Sequence, residues 1–162
     1  MAISFLVKLV NPWLRVKREK TEVLNKKIIH MQTAGLVVIK NRKLLLAFSN
    51  NKQAFYLPGG KVNHPETAIE ALIREVKEEL NVELQESHLT WYTHISVPAF
   101  GEAAGVIMEQ DCFVCELPET PQPTAEIGLL EYFDTAAYPL QPQQVPGVVM
   151  LLEKLKKEDL ID

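Results

Sequence analysis

Glu75, Glu78 and Glu79 stand three and four residues apart in a stretch whose aliphatic side chains recur with helical spacing. On a helix that spacing makes their carboxylates neighbours on one flank of the apolar stripe. Like charges so placed destabilise a helix by roughly 0.2–0.5 kcal/mol per pair, and the macrodipole disfavours anions towards the helix C-terminus. Stability alone would favour Lys or Arg at these positions. The arrangement makes chemical sense when a hard divalent cation such as magnesium, which prefers oxygen ligands, sits among the acids.

The elements that must position this cluster can be read on either side of it. Ile69, Leu72, Ile73, Val76 and Leu80 form one apolar face for packing on a core. Asn63 or His64 is expected to cap the helix start, with Pro65 in the first turn and Glu66 near the positive end of the dipole. At the far end Asn81 is expected to close the helix in a left-handed conformation, a role in which Asn is second only to Gly. Upstream, Leu57-Pro58-Gly59-Gly60-Lys61-Val62 combines a rigid proline with two residues lacking a Cβ. Such a loop lets backbone groups approach an ion or phosphate closely.

Taken together, Gly60, Glu66, Arg74-Glu75-Val76, Glu78-Glu79 and Val82 resemble the Nudix box, the signature of MutT-like Nudix hydrolases. That pattern is G-x5-E-x7-R-E-U-x-E-E-x-G-U, with U an aliphatic residue. Every fixed position from Gly60 to Val82 matches except the second Gly, which is Asn81. The departure falls on the helix cap and leaves the acids intact. The box spans residues 60–82, and the Leu-Pro-Gly-Gly-Lys lead-in and strand-rich remainder also suit the family.

Composition is consistent with this. With 162 residues and 47% hydrophobic content, the chain is expected to form one domain with a real core. The net charge of −4 is unevenly spread: residues 1–27 hold seven Lys or Arg against two Glu, a local +5 that leaves −9 on the remainder. An acidic body repels nucleic acid and bare phosphates, so a phosphate-ester substrate requires a mediating cation. The basic 1–27 extension is read as a solvated segment in preference to a membrane or anion contact. No apolar run approaches the roughly 20 residues that span a bilayer, and the apolar start lacks the charge order of a signal peptide. A cytoplasmic protein without membrane or nucleic-acid partners is expected.

Along the chain, 34–39 and 43–48 read as a hairpin turning at Asn41-Arg42, followed by a polar loop and a short strand at 54–57 that delivers the glycines. Strands are expected at 89–97 and 106–117, joined by a loop at 98–105, with a further strand at 129–133 and an amphipathic helix at 145–160. Six of the ten prolines lie between 118 and 146, marking turns. Cys112 and Cys115 form a Cys-x-x-Cys, but residues three apart on a strand face opposite ways, and no second pair completes a zinc site. They are read as buried, reduced thiols. The fold class is α/β, and the resemblance implies an α/β/α sandwich with a mixed sheet.

The resemblance further implies magnesium-dependent hydrolysis, with manganese as an alternative ion, of a nucleoside diphosphate linked to some group X. A nucleotide sugar, ADP-ribose or a nucleoside triphosphate would serve, with a small-molecule nucleotide as the partner. The metal set it implies is Glu75, Glu78 and Glu79 with the Gly59 carbonyl; Glu75 could instead be the base for the attacking water. Arg74, one residue from Glu75, is expected to reach Glu70 or Glu78 instead, and the family's Arg is read as orienting the box acids. Family members often recruit a further loop carboxylate. Glu126 is the first candidate, ahead of Glu102, Glu109 and Asp111. Lys61 is a phosphate-contact candidate, and Phe55, Tyr56, Tyr92 and Phe100 are candidates for stacking a base, with Phe55 and Tyr92 favoured. His64 is read as a cap or solvated side chain. The second hypothesis is a non-catalytic, nucleotide-sensing Nudix module; isomerisation of an isoprenoid diphosphate ranks last, lacking a separate Cys and Glu setting. Dimers are common among family members, and a homodimer is compatible with this chain.

Overall fold

The structure, a computed structural model, describes residues 27–124 and 126–162. The basic extension read at 1–27 lies outside the described residues except for Lys27.

Among the described residues, eight strands form two four-stranded sheets. β1 (Ile29–Val37), β5 (Gly59–Lys61), β6 (Thr90–Pro98) and β7 (Val106–Val114) make the first, in the order β5-β1-β7-β6. It is mixed: β1 and β7 run parallel, and the outer pairings are antiparallel. β2 (Ile39–Lys40), β3 (Lys43–Ser49), β4 (Ala54–Tyr56) and β8 (Ile127–Phe133) make the second, antiparallel throughout. Helix α1 (Ala68–Leu80) packs on β1 and β5, and α2 (Pro146–Lys157) packs on β6. A mixed sheet with helices on it matches the expected class.

The hairpin is smaller than the sequence suggested. Asn41 and Arg42 do make its turn, with φ of 51° and 58°, and Lys40 pairs with Lys43 across it. Two consecutive left-handed residues give the twist that joins antiparallel strands. Yet residues up to Val37 belong to the other sheet, where they bond β5 and β7. The chain changes sheets at Val38, whose carbonyl accepts from the Leu45 amide at 2.9 Å. An unbroken apolar run could not reveal the switch, because both halves are buried.

Two cores hold the layers together. One, including Leu46, Phe55, Val97, Cys112, Phe133 and Leu151, draws on both sheets and α2. The other lies beneath α1 and includes Leu36, Leu45, Leu72, Val76, Leu80 and Phe113. Each fully buried aliphatic of α1 contributes about 1.5–3 kcal/mol relative to exposure. Cys112 belongs to the first core and Cys115 to the second, as their spacing on a strand requires; both are free thiols.

The helix boundaries explain where the acids end up. Thr67, not Asn63 or His64, caps α1: its hydroxyl accepts from the Glu70 amide at 3.2 Å, and the Glu70 carboxylate accepts from the Thr67 amide at 2.8 Å. This reciprocal capping box has its own sequence signature, Thr-x-x-Glu, and it fixes the helical phase of everything that follows. Asn81 ends the helix with φ 53° and ψ 34°, its amide bonding the Lys77 carbonyl, as expected of a left-handed cap.

Candidate active site

The double glycine sits on a strand. β5 pairs with Thr33 to Gly35 of β1 in antiparallel register. Gly59 has φ +128°, and a Cβ there would collide with the Ala34 carbonyl oxygen. At Gly60 an ideal Cβ would lie 2.5 Å from the Glu75 carboxyl carbon. Gly59 is required by its backbone conformation, and Gly60 leaves the space that the Glu75 carboxylate occupies.

That acid is held. Arg74 Nη1 donates to Glu75 Oε1 at 2.7 Å, although adjacent helical residues do not face one another. The expectation that Arg74 would bypass Glu75 is corrected: its long side chain folds back along the helix and brings the guanidinium over the neighbouring carboxylate. The same guanidinium donates from Nε and Nη2 to both oxygens of Glu66, at 2.7 and 3.0 Å, and from Nη2 to the Lys61 carbonyl at 3.1 Å. Glu78 Oε2 is 3.6 Å from Nη1. Glu70 is not a partner, being occupied in the cap. Glu66 stands at the helix start, accepts from the Asn63 amide of the preceding loop at 3.2 Å and also anchors Arg74, and its pKa is lowered mainly by the bond to Arg74.

Glu79 lies on the inner side of the helix and lines the cleft described below. One carboxylate oxygen accepts from the Gly59 amide at 3.0 Å. Burial raises its pKa to about 7 against that hydrogen bond, and the charges of Glu75, Glu126 and Glu78 push it the same way. Burial disfavours the charged form, and nearby anions add to the penalty. Glu78 is exposed.

Glu126 comes near through the loop before β8. Thr124 donates from its amide to the Glu79 carbonyl at 3.0 Å and from its hydroxyl to the Glu78 carbonyl at 2.5 Å, while the Gln122 amide bonds the Leu80 carbonyl. The loop thus ties itself to the C-terminal carbonyls of α1, and the charge of Glu126 is felt at Glu79. Its rivals are elsewhere. Glu102 bonds Lys52 at 3.0 Å and lies 3.5 Å from Lys61. Glu109 and Asp111 bond His30 and His94 on the outer face of the first sheet.

The donor chemistry here suits a hard divalent cation: carboxylates from α1 and a neighbouring loop, one of them desolvated with a single hydrogen bond, beside a glycine backbone. The side chains do not yet converge, since among the described residues no three His, Cys, Asp or Glu groups are placed to hold an ion. Arg74 occupies Glu75.

A cleft of about 180 Å³ opens beside Glu79, lined by Gly59, Gly60, Lys61, Tyr56, Met108 and Gln110 among others. Two stacking candidates do not reach it. Phe55 is buried with its ring against Phe48 and Phe133, at centroid distances of 5.1 and 4.7 Å. Tyr92 packs towards α2, with its hydroxyl donating to Glu158 at 2.5 Å and Lys154 over its ring. Strand parity turns Phe55 away, opposite in direction to Tyr56, whereas Tyr92 sits at an irregularity in the β6–β7 register between Trp91 and Thr93. Tyr56 and Phe100 do line the cleft, edge to face with centroids 6.2 Å apart. Lys61 lines it too, although its ammonium leans on Glu102. Sequence reasoning missed Gln110. Its signal was a polar residue sharing strand parity with Met108 and Cys112 on a core-facing side.

Among the described residues, no helix is long and apolar enough to cross a membrane. The NUDIX domain family matches the sequence over residues 29–151. Among solved structures, the solution structure of the E. coli ORF135 protein is similar at 22% identity and TM-score 0.62, covering 83% of this chain and 96% of that one. The C. elegans Ap4A hydrolase binary complex is similar at 23% identity and TM-score 0.59, covering 79% and 96%. A bifunctional NMN adenylyltransferase/ADP-ribose pyrophosphatase from Francisella tularensis, complexed with AMP and a manganese ion, is similar at 18% identity and TM-score 0.58, covering 88% of this chain and 46% of that one. No curated protein matches the sequence.

Proposed function

Given that this chain belongs to the Nudix hydrolase family, its match covering residues 29–151, we propose that it hydrolyses the diphosphate bond of a nucleoside diphosphate linked to a group X, with magnesium or manganese bound by the box. The observation that carries this reading is the state of Glu79. A half-buried carboxylate with one amide donor and three acidic neighbours is unfavourable in its charged form unless a cation joins it.

In this reading Glu75, Glu78 and Glu79 hold the metal, with the Gly59 carbonyl and Glu126 as further ligands. An ion held there would supply charge neutralisation of the diphosphate and acidify a water. The chain's own residues do the rest. Arg74 fixes Glu75 and Glu66 in one network and so sets the spacing between helix and glycine strand. Gly60 leaves room for the Glu75 carboxylate, and the cleft wall beside Glu79 receives the nucleotide. Water attacks one phosphorus, its proton passes to a box carboxylate, and the bridging P–O bond breaks to give a nucleoside monophosphate and phosphorylated X. Lys61 is placed to meet a phosphate oxygen once Glu102 releases it. A cytoplasmic setting accords with the two free thiols.

The structures that resemble this chain include proteins described as an Ap4A hydrolase and an ADP-ribose pyrophosphatase. A panel of dinucleoside polyphosphates, ADP-ribose, nucleotide sugars and nucleoside triphosphates is therefore the direct test. With magnesium present, at least one should release a monophosphate, and Glu79→Gln should stop it. Tight nucleotide binding without product would favour the non-catalytic module instead.

A further inference from the structure

The inner end of the cleft carries two polar groups that the proposed chemistry does not use. Gln110 is only 8% exposed, yet it lines the cleft. Its carboxamide makes a single long contact, from the Cys112 thiol to Oε1 at 4.0 Å. Tyr56 lines the same cleft, and its hydroxyl is, among the described residues, the buried side-chain polar atom with no hydrogen-bond partner. A buried hydroxyl without a partner is rare and unfavourable, so Tyr56 beside a carboxamide held by one long thiol contact requires an explanation.

The backbone is built around Gln110. It pairs with Thr33 across β1 and β7, two residues along from the Met31–Met108 pair. Its amide carbon would lie 3.0 Å from a Cβ at Gly35, so that glycine provides the space into which the side chain leans. Among the other polar side chains of the lining, the Thr33 hydroxyl donates to the Glu109 carbonyl, Ser49 accepts from the Lys52 amide, Lys52 and Lys61 meet Glu102, and Glu79 accepts from the Gly59 amide. What remains is a slot with thioether and aliphatic walls, one carboxamide that both donates and accepts, and one phenol.

We infer that Gln110 and Tyr56 read the hydrogen-bonding edge of a nucleobase, so that the base and not X determines which substrate this protein selects. A base has apolar faces and a polar edge with a donor beside an acceptor, which a carboxamide matches in bidentate fashion. A sugar ring has several hydroxyls and no flat apolar face to set against the methionine, Tyr56 and Phe100 walls. This rests on the reading of the cleft as a nucleotide site.

The test is direct binding, which needs no turnover. Calorimetry with AMP, GMP, CMP, UMP and ribose 5-phosphate, in magnesium, is run on the wild type, Gln110→Met and Tyr56→Phe. One monophosphate should bind about tenfold or more tighter than ribose 5-phosphate. Gln110→Met should erase most of that preference, and Tyr56→Phe should weaken the preferred ligand by about fivefold or more. Tyr56→Phe should leave Tm unchanged or higher, because it removes an unpartnered hydroxyl; a purely structural tyrosine would lower it. If ribose 5-phosphate binds as well as every monophosphate, or the preference survives both substitutions, the inference is overturned. Should Gln110→Met not fold, Tyr56→Phe decides alone: unchanged affinity for the preferred monophosphate overturns it. A selective protein that hydrolyses nothing in the panel would sink the hydrolase reading and leave this one standing, whereas hydrolysis without base preference does the reverse.

Discussion

Two acidic clusters sit on this protein, and they have opposite electrostatic characters. On the outer face of the first sheet, Glu109 accepts from His30 at 2.7 Å, from His94 at 2.8 Å and from Ser96 at 3.1 Å, while Asp111 bonds the other nitrogen of His94 at 3.0 Å. These bonds, led by that to His94, lower the Glu109 pKa to about 2, and those to Asp111 and Glu109 raise that of His94. The cluster carries its own hydrogen-bond donors and is complete. On α1, Glu75 has Arg74, but Glu79 has only the Gly59 amide and three acidic neighbours, and its pKa rises to about 7. The lesson is that an acidic cluster suggests an absent cation only where the chain has failed to supply one. Glu109 and Asp111, candidates by composition, are excluded by their histidines.

The sharpest way to break the contrast is to neutralise one acid in each cluster. Glu79→Gln should reduce hydrolysis of the panel's best substrate by about 10²–10⁴-fold, whereas Glu109→Gln should leave it within about twofold; steady-state kinetics at saturating magnesium would show both. Next in size is Gly60→Ala. Its Cβ would meet the Glu75 carboxyl at 2.5 Å and displace that acid from Arg74, so kcat should fall by about tenfold to a hundredfold with the fold retained by circular dichroism.

A third test uses pH without metal. Glu79 binds its proton more tightly in the folded protein than in the unfolded chain, whose carboxyl has its ordinary value of 4.5. Between pH 4.5 and about 7 the folded state therefore holds more protons, and stability falls as pH rises through that window. Glu79→Gln should remove this slope and, at pH 8, stabilise the metal-free protein by on the order of 1–3 kcal/mol in denaturant unfolding. Adding magnesium to the wild type should cancel the difference.

The smallest effect belongs to the outer cluster. The raised pKa of His94 gives a stabilising contribution that is full below 6.5 and fades as pH rises through its folded value. Glu109→Gln should thus lower Tm slightly near pH 6 and hardly at all near pH 9. A Tm loss that grows with pH would contradict this account of the cluster.

What could be read in the sequence follows from how local the physics is. The box helix, its apolar stripe and the Asn81 cap depend on residues within a few positions, and all were legible. So was the separation of Cys112 from Cys115, which needs only the period of a strand. Glu126 was placed by chain order, and the loop anchored through Thr124 does bring its charge to Glu79. The misses are either long-range or depend on reach. Thr67 and Glu70 offered a capping box that was passed over for the prolyl turn before it. Arg74 reaches its sequence neighbour because its side chain is long, which spacing rules ignore. The sheet change at Val38 and the inward rings of Phe55 and Tyr92 depend on which sheet each strand joins. Gln110 became visible as a candidate only when β1 and β7 were seen to line a cleft.

The central claim is that the acids of α1 await an external cation and those of the outer sheet do not. Calorimetric titration of the metal-free protein with manganese, on the wild type, Glu79→Gln and Glu109→Gln, tests it most directly. Binding in the wild type that persists in Glu109→Gln and weakens about tenfold or more in Glu79→Gln is the result expected. No manganese binding to the wild type, or binding that survives Glu79→Gln and disappears with Glu109→Gln, would contradict it.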